Sequence, residues 1–159
     1  MKKLLSLGVV ALYIGMTAMT LSGSQDRFEN EGIGERLVGA WRLARLEQPG
    51  ADGKIRNADS SGLLVFTRDG HTLVQVMERN PQAQSPAGPE QYSQGGYEAS
   101  FGTYVIDERS HTFTFHVEGA LVRSLIGKDL PRAFELSGKQ LIVKSTRPNE
   151  HWRVAWERD

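Results

Sequence analysis

Arg132 stands in the run Leu130-Pro131-Arg132-Ala133-Phe134-Glu135-Leu136, where every second residue from Leu130 is apolar except the arginine itself. Side chains alternate across a strand, so Arg132 shares a face with Leu130, Phe134 and Leu136. A guanidinium on an apolar face costs on the order of several kcal/mol unless something meets its charge. Two readings stand. Arg132 packs over Trp41 or Trp156 at a closed end, its charge met by carbonyls or a carboxylate. Alternatively, it faces a ligand carboxylate or similar oxyanion and binds it bidentately.

Other residues able to do chemistry are few. His116 and Glu118 are two apart, so a carboxylate could orient an imidazole for general-base work. The alternation Phe113, Phe115, Val117 sends that pair to the opposite, outward face. His111 and His116 fall on opposite faces, and His71 and His151 add no ligand spacing, so neither a metal site nor a cofactor is expected. The run 97–106 has two phases. One puts Ser100, Gly102, Tyr104 and Ile106 inside; the other puts Ala99, Phe101, Thr103 and Val105 there. Tyr104 then brings either a hydroxyl to an apolar pocket or a core ring bonded at the rim. No HExxH, GxSxG, CxxC or phosphate loop occurs.

The elements that must position these residues are eight short β-type runs: 39–47, 63–67, 71–78, 97–106, 111–118, 130–137, 140–145 and 151–158. Asp69-Gly70 marks a hairpin, and Asp107 to Ser110 and Gly138 mark turns. Gln48 to Ser61, with Pro49-Gly50 and Asp52-Gly53, reads as a loop. Gly119 to Asp129 reads as an irregular link with room for a helical turn. Arg79 to Gly96 is rich in Gln, Pro and Gly, and reads as a lid or a disordered connection. On the last run Trp152, Val154 and Trp156 form the apolar set. The expected fold is all-β: an eight-stranded up-and-down antiparallel β-barrel with no free sheet edges, following an N-terminal signal segment. Eight strands enclose just enough space for side chains or one small ligand.

Lys2-Lys3, the apolar stretch 4–21 and Ser22-Gly23-Ser24 read as a signal peptide over residues 1–24, cut before Gln25, or as an uncleaved anchor. Residues 25–36 form a polar arm or short helical turn, and 37–159 the barrel domain. The expected location is the periplasm or outside the cell, with an inner-membrane anchor as the alternative; only residues 4–21 would then touch membrane. The chain has no cysteine, which excludes disulfides and a lipoprotein N-terminus. Without the leader, 17 Lys+Arg face 19 Asp+Glu, too little positive charge for a nucleic-acid partner. A monomer or weak dimer is expected.

Leu37-Val38-Gly39-Ala40-Trp41-Arg42-Leu43 resembles the opening Gly-x-Trp strand of the lipocalin-like domain family of small bacterial and fungal barrels. Gly62 to Thr67 with Asp69-Gly70-His71, Phe101-Gly102-Thr103-Tyr104, His116 to Gly119, and Trp156-Glu157-Arg158 follow in the family's order. Phe115 stands where the family often has histidine, and Arg123-Ser124-Leu125 where it has a Pro-Asn-Trp-like stretch. Both departures fall near the presumed cavity and put the typical ligand in question. The resemblance implies a barrel with a binding cavity, and favours the phase that turns Ser100, Gly102 and Tyr104 inward.

The expected function is therefore an exported protein holding a small, largely apolar or acidic-apolar ligand. Its candidate contacts are Arg132, Tyr104, Phe113, Phe115, Ser100 and Gly102, with Gly39, Trp41 and Trp156 closing the barrel. An isomerase, cyclase or decarboxylase using Arg132 and Tyr104 is the enzymatic alternative. A cell-envelope interaction module is the third.

Overall fold

The computed structural model describes residues 32–50, 52–80 and 95–158. The proposed leader, most of the polar arm and most of the 79–96 loop lie outside the described residues. A single-turn helix α1 (Ile33–Leu37) precedes nine strands. These are β1 (Gly39–Pro49), β2 (Ile55–Ala58), β3 (Ser60–Phe66), β4 (His71–Glu78), β5 (Tyr97–Asp107), β6 (Thr112–Ala120), β7 (Asp129–Ser137), β8 (Gln140–Ser145) and β9 (Arg153–Glu157). A short 3-10 turn, Arg123–Leu125, lies in the link between β6 and β7.

Every neighbouring pair is antiparallel, and β1 also pairs with β9, so eight strands close into a barrel with β2 as an addition. The stretch 48–61 is thus more than a loop. Residues Ile55–Ala58 pair with Leu46–Pro49, extending β1 beyond the ring. Three of the four β2 residues are exposed. A strand outside the ring has no core face to fill, so its polar sequence carries no alternation.

Alternation sets the core elsewhere. On β6, Phe113, Phe115 and Val117 are buried; on β7, Leu130, Arg132 and Phe134; at β9, Trp152, Val154 and Trp156. β1 changes phase once. Trp41 and Leu46 both face inward because the register shifts between Leu43 and Arg45, where a bulge inserts one residue. On β5, Ser100 and Gly102 are buried while Phe101 and Val105 are exposed, the phase that the family resemblance favours.

Gly102 sits at a second register shift, between Phe101 and Gly102. A Cβ there would run into the His116 carbonyl oxygen, so the two strands approach too closely for any side chain. Gly39 has φ of 131°, which turns the chain from α1 into β1. Both glycines serve the backbone path.

One end of the barrel is sealed. The Trp41 indole is fully buried and its Nε1–H donates to the Leu37 carbonyl at 2.8 Å, tying α1 to the first strand. Phe66 packs edge-on against Tyr104 and Phe113, with centroids 4.9 and 5.3 Å apart. The Arg158 guanidinium lies 4.6 Å from the Trp41 ring centroid and donates to the Arg36 carbonyl at 2.9 Å. Such a stack joins the last strand to the first at the closed end.

Candidate functional site

A cavity of about 80 Å³, partly open to solvent, lies between the sealed end and the strand ends near β2. Leu46, Leu64, Val74, Phe113, Phe115 and Trp156 give it an apolar wall. Among the described residues, its only charged lining groups are Arg132 and Glu98. They come from separate strands, β7 and β5, and Thr72 on β4 adds a hydroxyl that donates to the Val65 carbonyl at 2.9 Å.

Arg132 is 8% exposed. Its guanidinium lies 5.1 Å from the Trp152 ring centroid, and one NH donates to the Pro131 carbonyl at 3.1 Å. The expectation that Arg132 covers Trp41 or Trp156 at the closed end is corrected: its aromatic partner is Trp152, and Arg158 is the arginine over Trp41. Trp152 is itself held. Its Nε1–H donates to Glu150 Oε2 at 3.3 Å, while Ser145 donates to the same oxygen at 2.7 Å and Arg147 pairs with Oε1 at 2.9 Å. The turn after β8 thus positions the ring on which the guanidinium rests.

Burial pushes the Glu98 carboxyl up to about 7, against a smaller opposing pull from Arg132. Loss of water disfavours the carboxylate more than one nearby cation restores it. Close by, Gln48 Nε2 donates to Glu78 Oε1 at 2.9 Å. Trp156 is buried, and its Nε1–H has no acceptor among the described residues.

The structure brings Arg132, Phe113, Phe115 and Trp156 together at the cavity. It does not bring the other candidates there. Ser100 and Gly102 are buried in β5 but outside the lining. Tyr104 lies toward the sealed end, where its hydroxyl donates to the Thr67 carbonyl at 2.9 Å. Burial raises the Tyr104 phenol, helped by the Glu35 and Asp69 charges. Gly39 and Trp41 are likewise outside the lining. His116 is exposed and pairs with Asp129 at 2.8 Å rather than with Glu118. Asp129 stands directly across the strand ladder, closer than an i, i+2 neighbour. Arg132, Tyr104 and His116 therefore share no pocket.

Sequence reasoning missed Glu98. The signal is present: Glu98 is two residues before Ser100, on the phase of the strand that faces inward.

The closed antiparallel barrel, sealed at one end and hollow toward the other, defines a lipocalin-type binding fold. The family model described as the lipocalin-like domain matches residues 38–158, and the chain belongs to that family. No curated protein matches the chain. Among solved structures, it is similar to the crystal structure of an uncharacterized protein from Bacteroides eggerthii. That match has 15% identity and a TM-score of 0.45, covering 77% of this chain and 99% of that one.

Proposed function

We propose that this chain is an exported binding protein that holds a small, largely apolar molecule in the barrel, with an acidic group of that molecule at Arg132. The carrying observation is a guanidinium fixed on Trp152 within an otherwise apolar cavity. Few polar groups in an apolar wall orient a ligand without contributing chemistry of their own. The volume sets the size of the buried part. About 80 Å³ is roughly half of an engineered cavity of ~150 Å³ that takes benzene, so a longer ligand would leave through the open side.

Export rests on residues 1–24 as a cleavable leader, placing the mature protein in the periplasm or outside the cell. Native mass spectrometry of protein purified from its own host tests both parts. A mature N-terminus at Gln25 and a co-purifying small acid are expected. Reproducibly empty protein with residues 1–24 intact would refute the reading.

One observation favours an interaction module as a second reading. Leu63, Met77 and Phe101 are exposed on the outer face of β3, β4 and β5. Solution sizing separates the two, since a surface used for assembly would make the protein larger than a monomer.

A further inference from the structure

We propose that Glu98 is a proton-accepting partner to Arg132, so that the cavity takes up a monocarboxylate together with one proton. The inference rests on the binding function proposed above and deepens it by naming the ligand's charge and its linked ion.

Charge must balance in a mostly apolar, poorly hydrated space. Arg132 and Glu98 line one cavity, and their charges cancel while both are ionised. A carboxylate placed on Arg132 would meet the Glu98 carboxylate at close quarters. Two like charges sharing such a site cannot both persist, so one must gain a proton. Glu98 is the group already prepared for it, because burial holds its carboxyl at about 7. The protonated Glu98 then offers an O–H to the incoming carboxylate, while Arg132 supplies the cation. The step balances as one ligand anion and one solvent proton entering together, leaving the cavity's net charge unchanged.

No other titratable group competes from the walls among the described residues. The lining from β1, β3, β6, β8 and β9 is apolar apart from indole nitrogens, and β4 contributes only the Thr72 hydroxyl. Glu78 on β4 lies outside the lining and is held by Gln48. Among the described residues, Arg132 on β7 is therefore the one charged group that lines the cavity with Glu98.

The test uses the full mature protein, with hexanoate and its neutral isostere hexanamide as probes. Isothermal titration at pH 8 in buffers of different ionisation enthalpy counts the protons bound. Close to one proton per hexanoate is expected, with affinity falling about tenfold for each step of one in pH above the Glu98 midpoint. Glu98→Gln should bind hexanoate with no proton uptake and no pH dependence over the same range, and Arg132→Met should lose hexanoate binding. Hexanoate binding with no proton uptake, or with uptake unchanged in Glu98→Gln, overturns the proposal. Binding of hexanamide alone also overturns it but leaves the binding cavity standing. Failure of both probes, with native mass spectrometry showing reproducibly empty protein, removes the underlying reading.

Discussion

Replacing Glu98 by Gln changes how stability depends on pH, and the size of the change follows from the cavity. In the unfolded chain the carboxyl ionises near 4.5, whereas in the barrel it holds its proton to about 7. The folded state binds more protons between those values, so native stability falls as pH rises through that window and levels off above it. A tenfold change in proton affinity corresponds to about 1.4 kcal/mol. The 4.5-to-7 difference therefore gives about 3 kcal/mol, reduced to about 2–3 kcal/mol because the cavity is partly open. Asp69, Asp107 and Glu135 have lowered values, each held down chiefly by a side-chain hydrogen bond: to Thr67, Ser110 and Lys144 respectively. Their contributions are present above the unfolded carboxylate range and are lost as pH falls below it, outside the Glu98 window. Urea unfolding of both proteins, followed by circular dichroism from pH 4.5 to 8, isolates Glu98 as the pH-dependent part of the difference. Whatever constant cost Gln imposes beside Arg132 drops out. Glu98→Gln should gain about 2–3 kcal/mol relative to wild type across that range. A difference that stays flat with pH would refute a half-buried, proton-holding carboxyl at this position.

Arg132→Met keeps the volume and removes the cation, so the Glu98 midpoint should rise above about 7 in a carboxyl NMR titration; an unchanged midpoint would place the two groups too far apart to interact. Arg158→Ala removes the stack on Trp41 and the bond to the Arg36 carbonyl. It should cost about 2 kcal/mol in urea unfolding, with Arg158→Lys restoring part of it; no loss would contradict the sealing role. Gly102→Ala drives a methyl into the His116 carbonyl and should cost about 1–3 kcal/mol by the same measurement, while wild-type stability would show that the strands can separate there.

Strand alternation carried most of the fold. Runs such as Phe113-Thr114-Phe115-His116-Val117 need one dry face, and an antiparallel ring of eight provides it without leaving an edge. The element that escaped, β2, shows the limit of that signal. Ile55–Ala58 forms ladder bonds but buries almost nothing, so its polar residues look like those of a turn. The β1 bulge shows another limit. Trp41 and Leu46 have opposite parity yet share the interior, and only the β9 pairing reveals the inserted residue.

The two arginines show why the site was harder to read than the barrel. Arg132 shares parity with Leu130 and Phe134, and Arg158 with Trp156 and Val154, so alternation directs both inward. Parity gives the face of a strand but not the height along the barrel, which depends on stagger between neighbours and on every bulge before it. Arg158 emerges beside Arg36 and Trp41 at the sealed end, whereas Arg132 pairs across from Phe113 and Ser145, level with the cavity. Two residues with the same local pattern thus do opposite work: one completes the wall and the other leaves a charge inside it. Glu98 obeys the same rule. Its inward parity is legible from Ser100, but only the β4–β5 register, setting Glu98 across from Val76, puts it level with the cavity that Arg132 also lines.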